Sequence, residues 1–125
     1  MQEGYSAQLK DGREIYIPIW PATVQFENLT QACKHLGQDE VVNISTSVNV
    51  PAAMLAVMGS DDAEASTQLV LHFTQQARIE GKKISAGSLD DLGMATIIEL
   101  FAHVLHSQYS DFFVSGLAKD NSQPK

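Results

Sequence analysis

With 125 residues, 44% of them apolar, the chain is long enough to form one domain with its own core. A formal net charge of −7 and only eight Lys and Arg argue against a duplex nucleic-acid binder, which needs a basic footprint, and against an anionic membrane surface. The single cysteine, Cys33, cannot close an internal disulfide, and no apolar run reaches the length of a membrane span. No basic segment followed by an apolar run opens the chain, so a cytoplasmic protein without a secretory signal is expected.

Residues 5–20 read as a β-hairpin turning at Lys10-Asp11-Gly12-Arg13. A two-residue Asp-Gly loop would mix apolar and polar side chains on both faces. A three-residue loop, Lys10 to Gly12, pairs Ala7 with Ile15 and Tyr5 with Ile17, and gathers Tyr5, Ala7, Leu9, Ile15, Ile17 and Ile19 on one face. Gly12 supplies the left-handed residue that such a loop needs. Pro18 lacks an N–H, which predicts a sheet edge at that point. Trp20 and Tyr16 fall on the other face, where they are candidate contact residues; the competing reading folds Trp20 back over the first helix.

Pro21 ends the hairpin, and a helix is predicted from about Thr23 to Leu36. Its expected inner stripe is Ala22, Phe26, Leu29, Cys33 and Leu36, and Gly37 ends it. Cys33 reads as a small core residue on that stripe. Val41, Val42 and Ile44 fit a short helix begun at Gln38 or Asp39, followed by a connector. Pro51 and Gly59 bracket a helix, and from Ala52 to Met58 every residue is apolar. A helix with no polar face is either buried all round or covered by a partner, which makes Met54, Leu55, Val57 and Met58 candidate partner-binding residues. Asp61 and Asp62 cap the next helix, whose stripe is Leu69, Val70, Phe73 and Ala77 and which is predicted to end near Glu80-Gly81. A loop follows from Lys82 to Ser88, anchored by Ile84, with Ser88 or Asp90 as the cap of the core helix beyond it.

The strongest periodicity lies between Asp91 and Leu117. Met94, Ile97, Ile98, Phe101, Val104 and Leu105 recur at helical spacing, and Tyr109, Phe112 and Phe113 follow where the stripe ends or turns. This predicts a core helix and a short capping helix, with Phe112 and Phe113 as further partner-binding candidates. The fold expected is mostly α within an α+β class: a hairpin (5–20) packed against three to five helices (22–117) in one globular domain (1–117). A polar, disordered tail is expected over 118–125.

No motif for catalysis stands out. Glu99, His103 and His106 cluster opposite the core stripe and could ligate zinc, but Glu-x-x-x-His-x-x-His is not the His-Glu-x-x-His pattern and has no fourth ligand. A solvated helix face is the expectation, with no metal and no cofactor; a metal-dependent enzyme using these three residues is an alternative. Asp61-Asp62 and Asp90-Asp91 read as helix starts.

The order of parts resembles the bacteriophage tail assembly chaperones. The residues that carry the likeness are Leu-Lys-Asp-Gly-Arg-Glu-Ile-Tyr-Ile-Pro-Ile (Leu9 to Ile19), a helical middle, Ala77-Arg78-Ile79-Glu80-Gly81-Lys82-Lys83-Ile84, and a helix closing on Tyr109-Ser110-Asp111-Phe112-Phe113. The resemblance implies a non-enzymatic protein that coats a long helical tape-measure protein in the bacterial cytoplasm and self-associates. A structural virion part or head–tail adaptor is the alternative.

Overall fold

In the computed structural model, which describes residues 4–122 and their side chains apart from Ala86 and 115–122, the chain opens with strands β1 (Gly4–Gln8) and β2 (Glu14–Pro18). They pair antiparallel with Tyr5 opposite Ile17 and Ala7 opposite Ile15, the register that the three-residue loop predicts. The Leu9 N–H donates to the Arg13 carbonyl at 2.9 Å, and Gly12 takes a φ of 94°. Ile15 and Ile17 are buried, because alternation aims both at the helical layer.

The sheet has two further strands that the sequence reading placed in a helix end and a loop. β3 (Arg78–Ile79) pairs with β2, and β4 (Lys82–Lys83) pairs with β3, giving the order β1-β2-β3-β4. Glu80 and Gly81 join them with φ of 52° and 79°, the two positive values that a tight two-residue hairpin needs. β3 reaches only as far as Tyr16 along β2, so beyond it Pro18 has β1 alone beside it.

Helix α1 (Ala22–Leu36) and helix α2 (Gln38–Ser47) are separated only by Gly37, whose φ is 96°. Asn28, Ala32 and Leu36 are buried on α1, whereas Phe26 is 67% exposed, so the inner stripe is rotated from the one expected. The rotation arises because the neighbours of α1 are α2 and α4 (Ala63–Thr74), and Asn28 bonds across to His72 of α4 at 3.3 Å. α2 ends at Val48, a non-glycine residue held at φ 50°. Asn49 then caps α3 (Val50–Met58) by accepting the Ala52 N–H at 3.0 Å. Asp62 caps α4 in the same way through the Ala65 N–H. Leu69, Val70, Phe73 and Ala77 are all buried, although the helix stops at Thr74 and Ala77 lies beyond it.

Ser85 caps a short helix, α5 (Ala86–Leu92), and Gly93 at φ 90° separates it from α6 (Met94–Ser122), so Ser88 and Asp90, expected to cap the core helix, lie within α5 instead. Ile84 is buried, as an anchor should be. α6 is one helix with no separate capping helix. It is described as helical through Ser122, five residues into the segment expected to be a tail; 123–125 lie outside the described residues. Every residue from Leu100 to Leu105 is buried, because α2, α3 and α4 pack around α6 and Tyr5 of β1 lies on His103 and His106. Met94, expected to begin the stripe, is 81% exposed.

Candidate partner-binding surface

α3 presents an apolar face to solvent. At 100° per residue, Ala52, Ala53 and Ala56 share one side, and Met54, Leu55 and Met58 share the other. The three alanines are buried, and their small side chains let the helix sit close to α2, α4 and α6. Met54, Leu55 and Met58 are 38%, 67% and 71% exposed. Val57 lies between the two faces and packs partly against the core. Pro51 in the first turn and the Gly59 N–H on the Leu55 carbonyl fix both ends. An apolar row held at this exposure on a capped helix would lose little conformational freedom on being covered.

A second apolar opening lies between α1 and α6. Phe26 and Phe112 flank a groove of about 110 Å³ lined by Ala22, Gln25, Leu29, Gln108 and Tyr109. Its floor is held by the Tyr109 hydroxyl donating to the Gln25 carbonyl at 2.9 Å, and burial pushes this phenol's pKa up. Phe112 is 57% exposed, while Phe113 turns back against Tyr109. Phe26 is a surface residue that helical periodicity assigned to the core; nothing local to α1 distinguishes its two faces there.

Trp20 is a core residue. It is 6% exposed and stands edge-on to Phe73, with ring centroids 5.3 Å apart, and to Tyr109. The chain turns inward after Pro18 because the Gln108 side chain of α6 catches it. Gln108 donates to the Pro18 carbonyl and accepts the Trp20 N–H, both at 2.9 Å. Tyr16 stays on the outer face of the sheet at 40% exposure.

Glu99, His103 and His106 do not converge, and they are not a solvated face. Glu99 accepts the Lys10 N–H of the hairpin loop at 2.8 Å. The Tyr5 hydroxyl lies 2.9 Å from Nδ1 of His103, and the His106 Nδ1–H donates to the Ser45 carbonyl of α2 at 2.8 Å. Glu99 ties α6 to the hairpin loop, and both histidines pack on the Tyr5 ring, with His106 also reaching α2. Among the described residues no three His, Cys, Asp or Glu side chains are placed to hold a metal ion. Cys33 is half-buried, and desolvation raises its thiol pKa, which disfavours the thiolate.

His103 carries a pH prediction. Burial, then the neighbouring His106, hold it below the ordinary 6.5. Above pH 6.5 folded and unfolded chains are both neutral at this position, and stability is complete. As pH falls below 6.5 the unfolded chain takes up the proton first, so stability declines until the lower folded pKa is passed. Urea midpoints at pH 7.5 and pH 5.5 should therefore differ more for the wild type than for His103→Gln. Equal differences would show that His103 is not the group responsible.

Among the described residues no helix is long and apolar enough to cross a membrane. A family model described as "Phage tail assembly chaperone protein, TAC" matches residues 11–119. The match takes in β2, β3 and β4, every helical cap described above and both apolar openings, while β1 lies before it. No curated protein and no solved structure matches.

Proposed function

Because the chain belongs to the phage tail assembly chaperone family, we propose that it binds and shields the tape-measure protein during tail assembly, in the host cytoplasm, using the outward face of α3. A chaperone of this family works with protein partners, and its role is one of contact rather than catalysis. The observation that carries the reading is the exposed row Met54, Leu55 and Met58 on a helix whose other side is buried alanine. Unbranched methionines adapt to partners of varied shape, as a chaperone running along a long apolar helix requires. Phe112 and Phe26 supply a second anchor point at the α1–α6 groove. Several copies on one partner reach useful occupancy through modest contacts at each, since binding at one site raises the effective concentration at the next. The net charge of −7 favours solubility of the unbound protein despite the exposed apolar face.

The test is co-expression with the tape-measure protein. Leu55→Glu combined with Met58→Glu should keep the melting temperature within about 2 °C, because both side chains already face water. Capture of the tape-measure protein should fall by roughly 30-fold, the effect of losing a central contact. Undiminished capture by the double variant would overturn the assignment of α3. Recovery of the protein in stoichiometric amount from finished virions would overturn the chaperone role in favour of a structural one.

A further inference from the structure

The two edges of the sheet differ in a way that points to a second copy of this chain. β4 is two residues long and both are lysines, the charged and short form by which an edge resists unwanted pairing. β1 is five residues long and has no charged residue and no proline. Two hydrogen bonds fix which of its backbone groups are open. The Leu9 N–H bonds Arg13, so Leu9, Ala7 and Tyr5 direct their backbone groups toward β2. The Glu80 N–H bonds the Glu14 carbonyl, which confirms the same alternation on the other side of β2. Gly4, Ser6 and Gln8 therefore turn their N–H and C=O groups outward, and no described strand lies against them.

The side chains repeat the contrast. Ile15 and Ile17 on β2 are buried, but Tyr5 and Ala7, which face the same layer from β1, are only half-buried. The apolar side of the sheet thus stays open at this edge.

We propose that β1 pairs antiparallel with β1 of a second copy about a two-fold axis at Ser6, joining two four-stranded sheets into one. In this register Ser6 faces Ser6 of the other copy, and Gly4 faces Gln8, so all the outward backbone groups of β1 are satisfied. On the inner side Tyr5 faces Ala7, a large residue against a small one, which covers both. On the outer side Gln8 meets Gly4, where the Tyr16 ring lies so close that a Cβ on Gly4 would be 2.1 Å from it. No charge opposes a like charge along the shared edge, whereas β4 against its own copy would set lysine on lysine. The proposal concerns a surface separate from α3 and does not depend on the identity of the chaperoned partner.

Sedimentation of the full chain over a concentration series tests it. The wild type should show a reversible dimer. Ser6→Lys sets two charges together at the axis, and Ser6→Pro removes an outward N–H that β2 does not use. Each should weaken dimerisation by about tenfold or more, with circular dichroism and melting temperature retained. Ser6→Cys in a Cys33→Ser background should form a disulfide through position 6, since paired Cα atoms there lie about 5.5 Å apart. A wild type that stays monomeric throughout would overturn the proposal. So would a dimer unaffected by both Ser6 variants, or one abolished by Leu55→Glu and Met58→Glu, which would place the contact on α3.

Discussion

Truncation of Phe73 to alanine will lower the unfolding free energy by about 3–5 kcal/mol. Phe73 is fully buried at the meeting point of three segments. Its ring stands edge-on to Trp20 from the end of the hairpin and to Phe101 of α6, with centroids 5.3 and 5.5 Å away. Removing it leaves a cavity that none of these segments can close alone, because each is anchored elsewhere. A domain of this size has only about 5–15 kcal/mol in hand, so the variant should be close to unfolded at physiological temperature. Trp20 is the only tryptophan, and its emission during urea titration reports directly on this contact. Phe73→Leu, which retains most of the volume, should cost less than half as much. A loss below about 1 kcal/mol for the alanine variant would mean that the three segments do not meet as described.

Gln108→Leu should cost about 2–4 kcal/mol although it exchanges a polar side chain for an apolar one of similar size. Gln108 is 6% exposed and satisfies two main-chain groups at the point where β2 gives way to α1. Leucine would remove both bonds, one to the buried Trp20 N–H and one to the half-buried Pro18 carbonyl. The Gln25 side chain, which also bonds Gln108, would lose one of its acceptors. Denaturant unfolding of the purified variant measures the loss, and a change within about 0.5 kcal/mol would show that solvent replaces glutamine there.

These two residues mark where sequence pattern stops being informative. The hairpin register was legible because alternation over Tyr5 to Ile17 and one glycine in the turn both act locally. The ends of α3 were legible from Pro51 and Gly59, for the same reason. β3 and β4 were not: two residues give no period to detect, and polar Gln75, Gln76 and Arg78 extend the helical pattern into them. The two apolar helices differ in how much of their burial is legible. α3, with no polar side chain, is half exposed because its small residues happen to share one face. The middle of α6 is buried all round while carrying His103 and Gln108, because their partners lie 98 and up to 90 residues away in the chain. No window on α6 contains that information. The candidate site was legible in part: Met54, Leu55, Met58 and Phe112 are exposed, Val57 and Phe113 pack inward at one edge, and Trp20 is interior.

Val48 gives α3 a mechanical property. A β-branched residue in the left-handed region stores about 1–2 kcal/mol, and here it forms the one-residue link before the Asn49 cap. Both flanking helices rest on α6, which keeps the link wound. The link between α2 and α3 is therefore strained while both helices are docked, and the packing of the two helices on α6 is what offsets that strain.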